Sequence, residues 1–369
     1  NGNRVYQYNV HDQLIGETLD KPGEAQRTVG YVSTFYNRLK SRTDAGGMTA
    51  EHEYDDRGRL ASTREGNLQA TFAYNDLGRL VTVASTDTSN GSTLTTSLGY
   101  DDHGRECLRT QHLAGRPVRK LLQTWGKDNL VESRLLLEGR FLVLKEAFTY
   151  DPRGRLSIVE YSGSQLPEDK GKRKIRKQVF RYDSIDNIRN CLTTFEDDIT
   201  EMAAYTYKED DRFLLEKLTV TITGTSPQIL TFSHDQNGNL TVDQRGRPLE
   251  YDEESRLLQV DGENRYQYDG EGQILTSQAG NAPPRQLWFD ENRLSLAIQD
   301  GMCTRFSFHA DMPLAQQSES PARTLLLQTD ASHSVIAECD AGKVRDIRYS
   351  AYGQRHTTVP LHSHLGFNG

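Results

Sequence analysis

One short pattern recurs along this chain. It consists of an aromatic residue, Asp or Asn, two residues that are usually polar, Gly, Arg or Asn, and an aliphatic residue. Tyr150-Asp151-Pro152-Arg153-Gly154-Arg155-Leu156 is one copy. Others begin at Tyr54 (with Asp55 and Gly58), Tyr74 (Gly78), Tyr100 (Asp101, Gly104), His234 (Asp235, Gly238) and Tyr268 (Asp269, Gly272), and worn copies sit at Tyr182, Tyr207, Tyr251 and Phe289. The Asp or Asn carboxyl or amide oxygen accepts backbone amides two residues on and starts a turn. The Gly supplies a positive φ at no Cβ cost. Before the turn side chains alternate, as in Thr71-Phe72-Ala73-Tyr74, and after it a strand such as Leu80-Val81-Thr82-Val83 leaves. Each unit therefore predicts a strand, a tight turn and a strand. One hairpin cannot bury its own Tyr, so the ring is expected to lie on a neighbouring hairpin, and the units must stack. Their uneven spacing fits neither a solenoid of fixed rungs nor propeller blades, and predicts a long antiparallel strip of changing width.

The composition fits a wall better than a ball. Only 35% of the 369 residues are hydrophobic, and no long apolar helical run or membrane-length span occurs. A thin single curved sheet is expected. The net charge of −8 argues against a nucleic-acid binder. The four cysteines, Cys107, Cys191, Cys303 and Cys339, are far apart and suggest neither a disulfide framework nor a zinc site.

Along the chain, residues 1–50 are expected to hold two degenerate units, around Tyr8 and Tyr36, and Trp125–Leu130 occupies a unit's slot between Tyr100 and Tyr150. The basic run Lys170–Lys177 reads either as a patch for phosphate or an acidic partner or, preferably, as a solvated hairpin arm. Residues 301–345 change character, with strands around Phe306-Ser307-Phe308, Thr324–Leu327 and Ser334–Ile336. The first residues, which carry no Met, suggest a piece of a longer chain.

No constellation outweighs the turn reading. The pairs Asp55-Asp56, Asp101-Asp102, Asp197-Asp198 and Asp210-Asp211 offer carboxylates of the kind a glycosidase needs, but the first two belong to repeat turns. Asp235–Asn239 lacks the Gly and Glu that complete a calcium loop. His356, His362 and His364 have no acidic or Cys partner at ligand spacing, and Cys303, His309 and Asp311 are close only in sequence. Catalytic, cofactor and metal residues are accordingly not assigned. The residues singled out are the repeat turns: Tyr54, Asp55, Gly58, Tyr74, Gly78, Tyr100, Asp101, Gly104, Tyr150, Asp151, Gly154, Tyr268, Asp269 and Gly272.

These Tyr-Asp turns resemble the YD repeats of bacterial Rhs proteins. Tyr349-Ser350-Ala351-Tyr352-Gly353 followed by Leu365-Gly366-Phe367-Asn368-Gly369 resembles the entry to the Rhs-associated core, and Pro313–Gln317 and Leu325–Asp330 are similar as well. The likeness is best to C subunits of insecticidal Tc toxin complexes and related Rhs polymorphic toxins. It implies an all-β strip of antiparallel hairpins coiling into part of a hollow shell, with residues 1–345 as YD-repeat shell and 346–369 as the start of the core segment. It further implies a secreted or delivered bacterial protein without enzymatic activity of its own, since the family's self-cleaving residues would lie after Gly369. The implied partners are an encapsulated toxin polypeptide of the same parent chain, a B-type subunit or N-terminal shell half that completes the shell, and a delivery machine, either a Tc A-type pore or a type VI apparatus. The other reading is a cell-surface module whose tyrosines bind carbohydrate or a receptor.

Overall fold

The computed structural model describes residues 3–20, 26–356 and 360–367. Within each sheet every strand pairs antiparallel with the next, and no helix occurs among the described residues. A 19-stranded sheet runs from Asn3–Tyr8 to Gln228–Thr231, and an 11-stranded sheet runs from Leu249–Tyr251 to Lys343–Asp346. The first sheet stays open, because each strand bonds only to its sequence neighbours. Between the sheets the strip narrows to isolated bridges, His234↔Leu240 and Val242↔Pro248, with further backbone bonds such as Thr241 N–H to Ser233 O and Leu249 N–H to Thr241 O. In these two sheets strand length varies from ten residues at Phe141–Tyr150 to three at Leu249–Tyr251, and the last segment adds a two-stranded ribbon of Arg348–Tyr349 and Arg355–His356. The expected all-β strip of variable width is therefore the observed fold.

The thin single wall is not. The apolar face of the first sheet (Leu68, Ala70, Phe72, Val83, Leu94, Leu113) packs against Met312, Leu314, Ala315, Leu326 and Cys339 of the second. Val29 joins Trp288, Leu296 and Ile298 in a smaller shared cluster. The second sheet is covered on its other face too: Phe306, Leu325, Leu327 and Ile347 meet Leu361 and Leu365 of the last segment. This double cover explains the altered character of residues 301–345. Met312–Glu319 and Ala322–Thr329 are buried in nearly unbroken runs rather than at every second residue. The last segment is held by a fully buried carboxylate, Glu338, which accepts the amides of His362 (2.9 and 3.0 Å) and Ser363 (2.6 Å). Gln316 adds a donor to His362 O and an acceptor for His364 N–H. Farther along the first sheet, Val159, Tyr161, Ile175, Phe180 and Phe195 form a cluster of their own.

Candidate functional site

In the first sheet the repeat turns at Asp55, Asn75, Asp101 and Asp151 fall between every second pair of antiparallel strands and so line one rim, while the turn at Asp44–Met48 lies on the opposite rim. In each, the Gly amide donates to the Asp or Asn carbonyl (Gly58 to Asp55, 2.8 Å; Gly78 to Asn75, 2.9 Å; Gly154 to Asp151, 2.9 Å). The Asp or Asn amide donates to the carbonyl four residues on, and the strand register slips at the aromatic residue, as between Glu53 and Tyr54. This is a type I turn closed by a glycine bulge. Gly58, Gly78, Gly104, Gly154 and Gly272 have φ between 78° and 85°. Worn copies place Asn129, Asp186 or Ser255 in the same left-handed position, and Asn and Asp tolerate it better than most residues.

The Asp side chain closes the loop. Asp55 Oδ1 accepts the amides of Arg57 (3.0 Å) and Arg59 (2.8 Å), and its Oδ2 accepts Arg59 Nε (2.7 Å). The Arg59 amide, then its guanidinium, hold the Asp55 carboxyl below its ordinary value. Asp101 and Asp151 bind Arg105 and Arg155 in the same way. The guanidinium so fixed lies over the aromatic ring of the following unit: Arg59 over Tyr74 at 4.5 Å, Arg155 over Tyr182 at 4.7 Å, Arg256 over Tyr268 at 5.1 Å. That Tyr in turn donates its hydroxyl to the carbonyl of the residue just past the preceding turn. Tyr54 reaches Leu39 O (2.7 Å), Tyr74 Leu60 O (2.9 Å), Tyr100 Leu80 O (2.7 Å), Tyr150 Val131 O (2.9 Å) and Tyr268 Leu257 O (2.8 Å). Trp125 does the same with its indole N–H to Glu106 O (2.9 Å). The turns are thus joined by repeated Asp–Arg–Tyr clasps, each reaching from one unit to the next. Tyr74→Phe keeps the ring beneath Arg59 and removes only the hydroxyl; a loss of about 1 kcal/mol is expected in a denaturant titration.

Three placements differ from the sequence expectation. Residues 1–50 contain three such turns, at Asn9–Gln13, Thr34–Arg38 and Asp44–Met48. Tyr36 sits at the apex of the second, exposed, while Ser33 takes the aromatic slot. The Phe289 copy is a two-residue hairpin closed by the Asp290↔Arg293 pair, with Glu291 left-handed. The last segment adds a turn of the repeat type at Ser350–Gln354, and Tyr349 donates to Val335 O (2.8 Å).

The other candidates disperse. Arg173, Lys174, Arg176 and Lys177 of the basic run each face a carboxylate, Arg173 two of them (Asp169 and Glu201). Cys303 lies by Glu319, His309 stacks on Phe72 at 4.2 Å, and Asp311 faces Arg293 at 3.6 Å. His364 meets Arg285, and the His356 side chain lies outside the described residues, as do Asn368 and Gly369. No group of three or more potential metal ligands occurs among the described residues. All four cysteines are free thiols.

Sequence reasoning missed the seam between the sheets. Arg305, buried in the second sheet, donates to Asp44 of the first (2.5 Å) and to Glu319 (2.7 Å). Arg119 crosses the other way to Asp346 and Gln328, both at 2.7 Å, and Arg109 reaches Thr329. Arg4, also bound to Glu17, ties the first strand to the buried repeat residue Asp269 (2.9 Å). These residues are charged in the sequence and give no periodic sign that they face another sheet.

Beside the seam lies a cavity of about 300 Å³ lined by both sheets and the last segment. Glu146 stands in its wall, and desolvation pushes that carboxyl up to about 7, against the pull of Arg134. The folded value lies above the ordinary 4.5, so between the two the folded state holds a proton the unfolded chain has lost. Stability therefore falls as pH rises through that window. Glu146→Gln is expected to flatten the fall, gaining on the order of 2 kcal/mol at alkaline pH in unfolding curves taken across the window.

With this geometry in place, comparison with known proteins is informative. The family model described as the teneurin YD-shell matches residues 147–283. The solved structure of TcdB2-TccC3 without its hypervariable C-terminal region superposes with a TM-score of 0.62 over 95% of this chain, at 12% identity. Residues 147–283 thus match a YD-shell family model, and the chain shares the fold of the TcdB2-TccC3 structure. The crystal structure of TcdB2-TccC3-TEV superposes with a TM-score of 0.51 over 99% of the chain, also at 12% identity. This chain spans only 23% and 24% of those two chains. No curated protein sequence matches it.

Proposed function

We propose that the chain is a wall segment of a bacterial toxin shell that encloses a polypeptide effector. Residues 1–345 would form the wall and 346–369 begin the core segment. The observation that carries this reading is the superposition on TcdB2-TccC3 over 95% of the chain. The role is structural rather than catalytic. Tyr54, Asp55, Gly58, Tyr74, Gly78, Tyr100, Asp101, Gly104, Tyr150, Asp151, Gly154, Tyr268, Asp269 and Gly272 act as its interlocks. A B-type subunit or an N-terminal half would complete the shell. Delivery would fall to an A-type pore or a type VI apparatus, from a secreting bacterium. The carbohydrate-binding alternative is weakened by the clasps: the ring of Tyr74 is covered by Arg59, and the hydroxyls of Tyr54, Tyr74 and Tyr150 are already committed. Limited proteolysis of the full-length parent tests the proposal. The effector is expected to resist cleavage until the wall is opened with denaturant; an effector digested as fast as the free polypeptide would overturn it.

A further inference from the structure

We propose that the cavity beside Glu146 is a binding site for a primary ammonium group carried on an aliphatic stem. The argument is independent of the shell reading and begins with the strand Phe141–Tyr150. Side chains two apart share a face, so Leu144, Glu146, Phe148 and Tyr150 all line the cavity. One carboxylate thus interrupts an apolar row. Leu108, Leu121, Leu136 and Ile336 complete the apolar walls, and about 300 Å³ accommodates a chain of several methylenes.

The other charged groups of the wall are already engaged. Glu106 holds Arg109 through both oxygens, at 2.8 and 2.9 Å. Asp330 Oδ1 accepts the amides of Ser332 and Ser334 in its own turn, each at 2.9 Å. Arg134, the cross-strand neighbour of Glu146, spends its donors on Gln123 (2.9 Å) and Ser332 (3.2 Å) and lies over the Phe148 ring at 5.6 Å. Arg348 is buried and donates to Ile347 O (2.9 Å) and Gln165 (2.5 Å), while its Nε has no partner. The Glu146 carboxylate has no hydrogen bond or ion pair among the described residues. A carboxylate in an apolar recess without a partner is costly, and a ligand that supplies N⁺–H donors removes the cost. The Leu and Phe walls select for methylenes behind the cation. A free alkylamine and a lysine side chain of a polypeptide share this chemistry.

Calorimetric titration of the 369-residue chain with n-hexylammonium, 1-hexanol and Nα-acetyl-lysine N-methylamide, at about one pH unit above the Glu146 value so that the carboxyl is ionised, tests the assignment. Hexylammonium is expected to bind and hexanol to bind at least roughly tenfold more weakly, as loss of a charge-assisted contact requires. Glu146→Gln should cause a similar loss with the fold intact by circular dichroism, and Glu146→Asp should retain weakened binding. Binding of the blocked lysine as well would place the source in a polypeptide side chain, and binding of the free amine alone would place it in a small molecule; either supports the site. Equal affinity for hexanol, an unchanged affinity in Glu146→Gln, or no heat from hexylammonium with the unaltered chain would overturn it. The hexanol comparison needs no variant and so decides the matter even where a substitution fails to fold.

Discussion

Asp44→Ala is expected to lower the stability of the chain by about 3–5 kcal/mol, the cost of leaving one partner of a buried ion pair behind. Asp44 is 3% exposed and has two tasks. Its Oδ1 accepts the amides of Gly46 (2.8 Å) and Met48 (2.9 Å), closing a repeat turn, and its Oδ2 accepts Arg305 Nε from the second sheet. Arg305 keeps Glu319 after the substitution, but half of a guanidinium that is 2% exposed loses its counter-charge. The partly exposed equivalent, Asp55→Ala, breaks the same turn contacts without stranding a buried charge, and its effect should be far smaller. Chemical denaturation of both variants separates the two tasks: similar losses would mean that the seam pair adds nothing beyond the turn. Asp44→Asn with Arg305→Met, which removes both charges, should recover much of the loss, since a matched apolar replacement is often neutral.

Leu68→Ala should cost about 2–5 kcal/mol, the range for deleting a fully enclosed aliphatic side chain. Leu68 has no solvent exposure and packs in the cluster shared with Leu314 and Leu326 of the second sheet. Because the seam is rigid on both sides, a cavity there collapses poorly. Leu77→Ala, at a turn apex where the side chain is 75% exposed, should stay within about 0.5 kcal/mol. Thermal unfolding of the pair checks the contrast, and a Leu68 variant as stable as the Leu77 variant would show that the two sheets do not unfold as one unit.

The strip was legible because its turns are local. Asp55, Gly58 and the Arg59 amide close the turn within five residues, so type and spacing alone specify the hairpin. The stacking of Tyr74 on its neighbour was also readable, since a lone hairpin leaves the ring wet, but its partner was not: the acceptor is Leu60 O, a main-chain atom with no signature. The turn at Asp44–Met48 was missed because Thr43 replaces the aromatic residue. The seam was hidden for a different reason. Asp44 and Arg305 are 261 positions apart, and neither differs in type from the exposed Asp and Arg of any turn. The second layer left one trace, the apolar run Thr324–Leu327, which reads equally well as a core strand in any β protein.

The clasp has an evolutionary consequence. A tyrosine hydroxyl that seeks a main-chain oxygen places no demand on which amino acid supplies it: Leu39, Val131 and Leu257 serve alike. Of the clasp's contacts between units, only the guanidinium over the next aromatic ring ties one side chain to another, and the hydroxyl contact leaves its acceptor residue free to vary. Very different sequences can therefore share one architecture, as the 12% identity to TcdB2-TccC3 over nearly the whole chain illustrates.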